Sequence, residues 1–174
     1  RPHFTPVRRL VSATVRAAAG ELLGSAGLAA VVVGSGIAAQ RLSPSDVGLQ
    51  LLENAIATGL GLAVLILVFA TVSGAHFNPV VTLVDIALHR QKWSLAVLYL
   101  PVQIVGCITG AILANIMFAA PAIALSTTDR GGWPLLLSEV VATAGLVVVI
   151  FSLARTGRSH MVAPAVGAYI AGAY

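Results

Sequence analysis

Long stretches without a charged side chain dominate this sequence and limit the environments in which it can fold. Charged residues make up 9% of the chain and hydrophobic residues 58%, whereas an ordinary soluble domain is about 25% charged. A helix needs about 20 apolar residues to cross the hydrocarbon core of a bilayer. We therefore predict an all-α membrane protein with four spans and part of a fifth. The charge-free intervals are Leu22–Gln40, Asn54–Val84, Trp93–Thr128, Val140–Ala154 (extended by Glu139 and the apolar residues before it) and Ser159–Tyr174.

Basic residues are distributed unevenly among the connections between these intervals. Eight of the ten precede the first interval or lie in the second and fourth connections, whereas Arg41 and Arg130 lie in the first and third. The positive-inside rule then predicts a cytoplasmic N-terminus. No Lys/Arg cluster is interleaved with aromatic residues, so the pattern does not indicate nucleic-acid binding.

A polar break, Ser73–Val80, interrupts the second interval. Asparagine is a preferred N-cap residue, and proline is favoured at the first helical position. Asn78-Pro79 therefore predicts a new helix over Val80–Leu88, about half as long as the bilayer core is thick. We expect a re-entrant segment whose extended part lines water or protein, because its backbone groups would be unsatisfied in lipid. The alternative is an ordinary helix that is kinked at Asn78-Pro79.

The chain contains an internal repeat. Glu21-Leu-Leu-Gly-Ser-Ala-Gly-Leu28 returns as Glu139-Val-Val-Ala-Thr-Ala-Gly-Leu146. We predict one partial membrane domain over residues 1–174, with a first repeat at about 17–120 and the start of an inverted second repeat at about 134–174. Transferring the repeat offset to Asn78 predicts a second polar loop near position 196. We therefore expect this sequence to be a fragment that is truncated in its fifth span.

The segment Ser73-Gly-Ala-His-Phe-Asn-Pro-Val-Val-Thr82 resembles the first pore loop of the aquaporin (major intrinsic protein) family, S-G-x-H-x-N-P-A-V-T. Glu21 and Glu139 resemble the glutamates that open the two repeats of that family, and Tyr99–Gly106 resembles its third helix. Val80 departs from the usual alanine. The resemblance, to a bacterial-type member, implies an aquaporin-like inverted-repeat bundle with a re-entrant half-helix. It also implies a homotetramer, a bacterial inner membrane and no cofactor.

The resemblance also implies roles for particular residues. Glu21, Glu139 and Gln103 would support the pore loops through hydrogen bonds, although a proton relay is the alternative for the two glutamates. His76 would be a fixed hydrogen-bonding residue of the loop, with a pH switch as the alternative. Residues expected to line the pore are Gly74, Ala75, His76, Asn78, Pro79, Val80 and Thr58.

Thr58 lies twenty residues before Asn78. In water-selective relatives the corresponding position is commonly aromatic and narrows the pore, so a threonine resembles the wider members of the family. The alternative is a hydroxyl that bonds back to its own helix. Cys107 lies inside the third interval, where we expect a packed thiol.

These features predict a passive channel for water and small uncharged solutes, in contact with the lipid bilayer. The alternative within the class is a facilitator of glycerol or metalloid hydroxides. An ion-coupled transporter would need a titratable group near the membrane midplane, and span two with its broken segment offers only His76. The chain shows no nucleophile–base pair or metal-ligand spacing, so we expect neither an enzyme nor a metal site.

Overall fold

The computed structural model describes residues 6–88, 90–126 and 131–174, with side chains from Ala13 onward. Regular structure in these residues is entirely helical. The helices are α1 (Pro6–Leu42), α2 (Val47–Ser73), α3 (Pro79–Ala87), α4 (Trp93–Met117), α5 (Trp133–Arg155), a 3₁₀ turn (Ser159–Met161) and α6 (Val162–Gly172). Four of them, α1, α2, α4 and α5, are long and apolar enough to cross a membrane. The prediction of an all-α membrane protein with several spans is confirmed.

Two helices begin earlier than the charge-free intervals. α1 has 37 residues and starts well before Leu22, because arginine is a good helix former and a helix does not stop where its side chains become charged. α2 starts at Val47, where the Asp46 carboxylate accepts a hydrogen bond from the Leu49 N–H (2.9 Å). The intervals thus mark the apolar part of each helix and not its ends. Arg1 and Arg130, which contribute to the topology prediction, lie outside the described residues.

α1 packs against both α2 and α4. Two glycines of α4 allow the second contact: a Cβ on Gly106 would lie 2.5 Å from the Leu22 carbonyl oxygen, and one on Gly110 would overlap the Ala26 carbonyl. The backbones of the two helices are therefore closer than any side chain would permit. Cys107, between these glycines, is exposed, so the prediction of a packed thiol is wrong. It lies on the outward side of α4, where Ile104 and Ile108 are also exposed.

α6 packs against α2 and α5, and α5 also touches α3. A Cβ on Gly59 of α2 would lie 2.5 Å from the Gly167 carbonyl oxygen of α6, so these two helices also meet backbone to backbone. A buried apolar cluster fills the space between α2, α3, α5 and α6 and includes Phe77 from the segment before α3. Its members are Leu62, Ile66, Phe77, Val81, Leu146, Ala163 and Val166.

Candidate functional site

The segment that joins α2 to α3 has an unusual backbone. α2 ends at Ser73, and the next residue, Gly74, has φ +89° and donates its N–H to the Ala70 carbonyl (3.1 Å). Ala75 and Phe77 also have positive φ, at 53° and 48°. A non-glycine residue in this region costs on the order of 1–3 kcal/mol and persists only where its surroundings hold it. We refer to Ser73–Phe77 as the loop; contacts with neighbouring helices must hold it in this conformation.

Glu21 of α1 holds this loop. Its side chain is fully buried, and its carboxylate accepts four hydrogen bonds. Oε1 accepts from the Ser73 hydroxyl (2.7 Å) and the His76 N–H (3.0 Å). Oε2 accepts from the Phe77 N–H (2.8 Å) and from Nε2 of Gln103 (2.8 Å). A carboxylate with this many donors is well satisfied in a dry interior, and the two loop N–H groups receive the partner that lipid would not provide.

Thr82, one turn into α3, connects this network to the next helix. Its hydroxyl oxygen lies 3.1 Å from Gln103 Nε2 and 3.0 Å from His76 Nδ1, and it donates to the Asn78 carbonyl (3.2 Å). The His76 ring also packs edge to face on Tyr99, with centroids 5.5 Å apart. His76 is therefore fixed by contacts on two sides.

Asn78 begins α3. Its Oδ1 accepts from the N–H groups of Val80 (2.7 Å) and Val81 (3.3 Å), and Pro79 occupies the first turn. Because Oδ1 is used by the cap, the two Nδ2 hydrogens are what this side chain offers to a neighbouring molecule. The positive end of the α3 dipole lies at the same place.

A cavity of about 780 Å³ lies beside the loop. Its polar lining includes Thr58, His76, Asn78, Asp85, Arg90 and Tyr174, and Gly74 and Ala75 of the loop also line it. Much of the rest is apolar. The apolar lining includes Leu62 and Ile66 of α2, Leu146 and Ile150 of α5, and Val166 and Ile170 of α6.

The two ends of this cavity are marked by α6. Tyr174 follows the last turn of α6 and lies 3.2 Å from Thr58 (hydroxyl to hydroxyl), whereas Ser159 and Val162 border the cavity where α6 begins. The 11 residues of α6 separate the Thr58 end from the other end by about 16 Å. Arg90 also lines the cavity, and it contacts Phe151 near the end of α5, shortly before the turn that begins at Ser159, so it lies near that other end.

Thr58 is buried in the cavity wall, with 2% of its surface exposed. Its hydroxyl lies 3.4 Å from Asn54 Oδ1, on the preceding turn, and 3.2 Å from the Tyr174 hydroxyl. The alternative prediction was that this hydroxyl forms a hydrogen bond with a backbone carbonyl of its own helix. Its observed partners are two side chains. Thr58 thus belongs to a polar group that faces the cavity.

The structure brings half of the ten predicted site residues to the cavity, namely Gly74, Ala75, His76, Asn78 and Thr58. Pro79, which was predicted to line the pore, is not among the described residues that line the cavity, and Glu21 contacts the loop from α1. Gln103 lies behind the loop, in the Glu21 network. Val80 faces a second, mostly apolar hollow of about 440 Å³ between α3 and α5, and Glu139 is exposed beside it. Within the loop, the N–H groups of His76 and Phe77 donate to Glu21 and not to Glu139, whereas the Ala75 N–H donates to the Ser73 hydroxyl. A supporting role for Glu139 remains a prediction.

Sequence reasoning missed several residues of this site. Tyr99 donates its hydroxyl to the Ser73 carbonyl (2.6 Å), and Thr82 joins His76 to Gln103. Both belong to segments that carry the family resemblance, so the motif was an available signal. Tyr174 and Asp85 also line the cavity. The sequence offered no signal for them, because their positions at the cavity depend on how distant helices pack.

Comparison with known proteins now identifies the family. The sequence model described as "Major intrinsic protein" matches residues 9–174. The chain belongs to the major intrinsic protein family. Members of this family are channels in the membrane and not enzymes, so the predicted class of protein is confirmed.

Three relatives show how the chain compares with individual members. It is 43% identical over 154 residues to "Aquaglyceroporin AqpS" of Rhizobium meliloti (strain 1021), covering 88% of this chain and 65% of that protein. It is 34% identical over 109 residues to "Aquaporin-B" of Dictyostelium discoideum (57% and 37%). It is 32% identical over 148 residues to "Probable aquaporin TIP2-2" of Oryza sativa subsp. japonica (81% and 59%). The chain spans less than two thirds of the length of each relative.

Proposed function

We propose that the protein is a passive channel for small uncharged solutes of glycerol size, and that water passes with them. The sequence alone favoured water, with glycerol or metalloid solutes as the alternative. The similarity to an aquaglyceroporin, at 43% identity, supports the wider alternative better. The observation that carries the proposal is Thr58, a small polar side chain in the cavity wall where an aromatic ring would narrow the path.

The cavity wall fits a polyol. Asn78 and Thr58 offer hydrogen-bonding groups at the wall, and Ile66 and Val166 belong to its apolar part. A polyol has hydroxyl groups that can form hydrogen bonds with Asn78 and Thr58, and CH groups that can pack against the apolar side chains. Selectivity for such molecules follows from pore diameter and from the donors and acceptors that line it.

The start of α3 supports exclusion of cations. Asn78 Oδ1 accepts from two N–H groups in the first turn of α3, and the partial positive charge of this helix end lies beside the cavity. A cation entering here would lose water and meet a repulsive field. An uncharged solute meets no such penalty, which favours a facilitator over an ion-coupled transporter.

The finer predictions complete this proposal. Eight of ten basic residues on one side support a cytoplasmic N-terminus. The repeat of Glu21 at Glu139 supports an inverted arrangement with α3 as a re-entrant half-helix. Assembly as a homotetramer in a bacterial inner membrane stays a prediction. Large apolar side chains are exposed along α2, α4 and α5, and lipid or a neighbouring subunit would cover them.

Thr58→Phe tests the proposed solute class. In proteoliposomes that contain the full-length protein, we expect the ring to reduce glycerol uptake far more than water flux, because it narrows the cavity and removes a hydroxyl. Stopped-flow light scattering measures both fluxes. Thr109→Phe is the matched control, since Thr109 is exposed on α4 away from the cavity. Equal reduction of both fluxes by Thr58→Phe would show that Thr58 is not at a size filter. Wild-type glycerol uptake no faster than in empty vesicles would reject the proposed function.

Substitutions at Asn78 test the proposed donor. Asn78→Ala removes both the cap and the amide, and we expect it to lower the free energy of unfolding by about 1 kcal/mol and to reduce solute flux. Asn78→Asp keeps a capping oxygen but replaces the amide donors by a carboxylate, so flux should fall and cation exclusion should weaken. Thermal unfolding in detergent and vesicle fluxes check these results. Asn115→Ala is the control, because Asn115 is on the far helix α4 and bonds to Ala122. Wild-type permeability in both Asn78 variants would exclude the proposed role.

A further inference from the structure

At the end of the cavity away from Thr58, Asp85 and Arg90 form a charged pair to which the proposed function assigns no role. Asp85, near the end of α3, is largely buried, with 9% of its side chain exposed, whereas 45% of the Arg90 side chain is exposed. Arg90 Nε lies 3.3 Å from Asp85 Oδ1, and the Arg90 N–H donates to the Asp85 carbonyl (3.1 Å). The backbone and the guanidinium of Arg90 are thus both attached to one residue of α3.

The same guanidinium reaches across to α5. Its central carbon lies 5.6 Å from the centre of the Phe151 ring, within the range of a cation–π contact. Phe151 is buried, and Asp85, Arg90 and Phe151 all line the cavity. The Arg90 side chain therefore forms a bridge from α3 to α5 at the cavity wall.

Asp85 is itself connected to the loop. Its Oδ2 lies 3.7 Å from His76 Nε2, and His76 Nδ1 lies 3.0 Å from the Thr82 hydroxyl. Thr82 in turn contacts Gln103, the partner of Glu21. The elements that fix the loop beside Asn78 thus also fix the carboxylate that holds Arg90.

We propose that Arg90, held by Asp85 and Phe151, is a second specificity-determining residue, which limits the size of the solutes that pass this end of the cavity. The inference deepens the proposed function and rests on it. Both anchors keep the guanidinium extended between α3 and α5, so it occupies part of the opening instead of turning away from it. A side chain with no such anchors would be free to move aside and would set no limit.

The chemistry of the bridge indicates which molecules it admits. Nε is directed to Asp85, so the exposed Nη hydrogens are the donors that a solute meets. Hydroxyl oxygens of a small polyol can accept these hydrogen bonds. Because Asp85 offsets the positive charge, selection here is mainly by size and hydrogen bonding and not by net charge.

Arg90→Ala tests this role. We expect the ratio of xylitol flux to water flux in proteoliposomes of the full-length protein to rise several-fold over wild type, because the five-carbon polyol gains most from a wider opening. Glycerol flux should rise less. Lys92→Ala is the matched control, a basic residue in the same connection that does not line the cavity, and it should leave the ratio at the wild-type value.

A further variant keeps the test decisive. Phe151→Leu removes the aromatic face but keeps an apolar side chain, and we expect a smaller rise in the same ratio. If Arg90→Ala does not give a monodisperse protein in detergent, Phe151→Leu decides the question. An unchanged xylitol-to-water ratio in the folded variants, with wild-type glycerol flux above that of empty vesicles, would overturn the role of Arg90 while leaving the channel function intact. Absence of wild-type glycerol flux would instead reject the proposed function.

Discussion

Glu21→Gln is expected to abolish most solute flux and to destabilise the protein strongly, although it exchanges a single polar atom. The carboxylate accepts four hydrogen bonds, two at each oxygen. A glutamine keeps one of these oxygens and places an NH₂ group against donors at the other. Two donors would then be buried without an acceptor, at about 1–3 kcal/mol each.

Losing these hydrogen bonds would change the cavity wall, because they hold the loop backbone in place. If the NH₂ group replaces Oε2, the Phe77 N–H and the Gln103 side chain lose their acceptor. If it replaces Oε1, the His76 N–H and the Ser73 hydroxyl lose theirs. The positive φ angles of Ala75 and Phe77 would no longer be held. The loop should relax, and Asn78 would lose its position at the cavity.

Thermal unfolding in detergent and glycerol uptake by proteoliposomes of the full-length protein measure the two effects. Glu53→Gln is the matched control. Glu53 is half-buried, and its Oε1 accepts from the Ser43 hydroxyl (2.9 Å), a bond that a glutamine oxygen can keep. Its Oε2 is buried without a hydrogen-bond partner among the described residues, so an NH₂ group at that position replaces no accepted bond. We expect a change of less than about 1 kcal/mol there. A Glu21→Gln protein as stable and as active as Glu53→Gln would mean that the carboxylate does not hold the loop.

The apolar intervals were sufficient to predict the spans, because burial in lipid requires about 20 uncharged residues and little else. They could not locate the helix ends. α2 starts at Val47 because of a cap at Asp46, a local signal within Ser43-Pro-Ser-Asp46 that hydropathy ignores. The long α1 likewise continues through charged residues, which favour a helix as well as apolar ones do.

The site was predictable where chemistry is local and not where it depends on packing. The capping geometry of Asn78 and Pro79 follows from adjacent residues. The contact between Arg90 and Phe151 does not, since these residues are far apart in the chain and meet only because α3 and α5 pack together. The internal repeat and the family resemblance singled out Glu21, but only the structure shows all four of its donors.

Gly110→Ala is expected to separate α1 from α4 and to lower thermal stability strongly. The added methyl group would overlap the Ala26 carbonyl oxygen and lie 2.8 Å from its carbon. These atoms belong to the backbone, so no rotamer change can relieve the clash, and the two helices must move apart. Gln103, two turns earlier on α4, would then be drawn away from Glu21 on α1, so the loop should lose one of its supports.

Gly172→Ala is the control for that substitution, because a Cβ on Gly172 would have no atom of the described residues within 4 Å. We expect the midpoint of thermal unfolding in detergent to fall well below wild type for Gly110→Ala and to stay unchanged for Gly172→Ala. Glycerol uptake should fall in the first variant and not in the second. Because helix spacing and loop support share the α1–α4 contact, both readouts should change together. A Gly110→Ala protein with reduced stability but full glycerol uptake would show that the hydrogen bond between Glu21 and Gln103 tolerates a wider helix spacing.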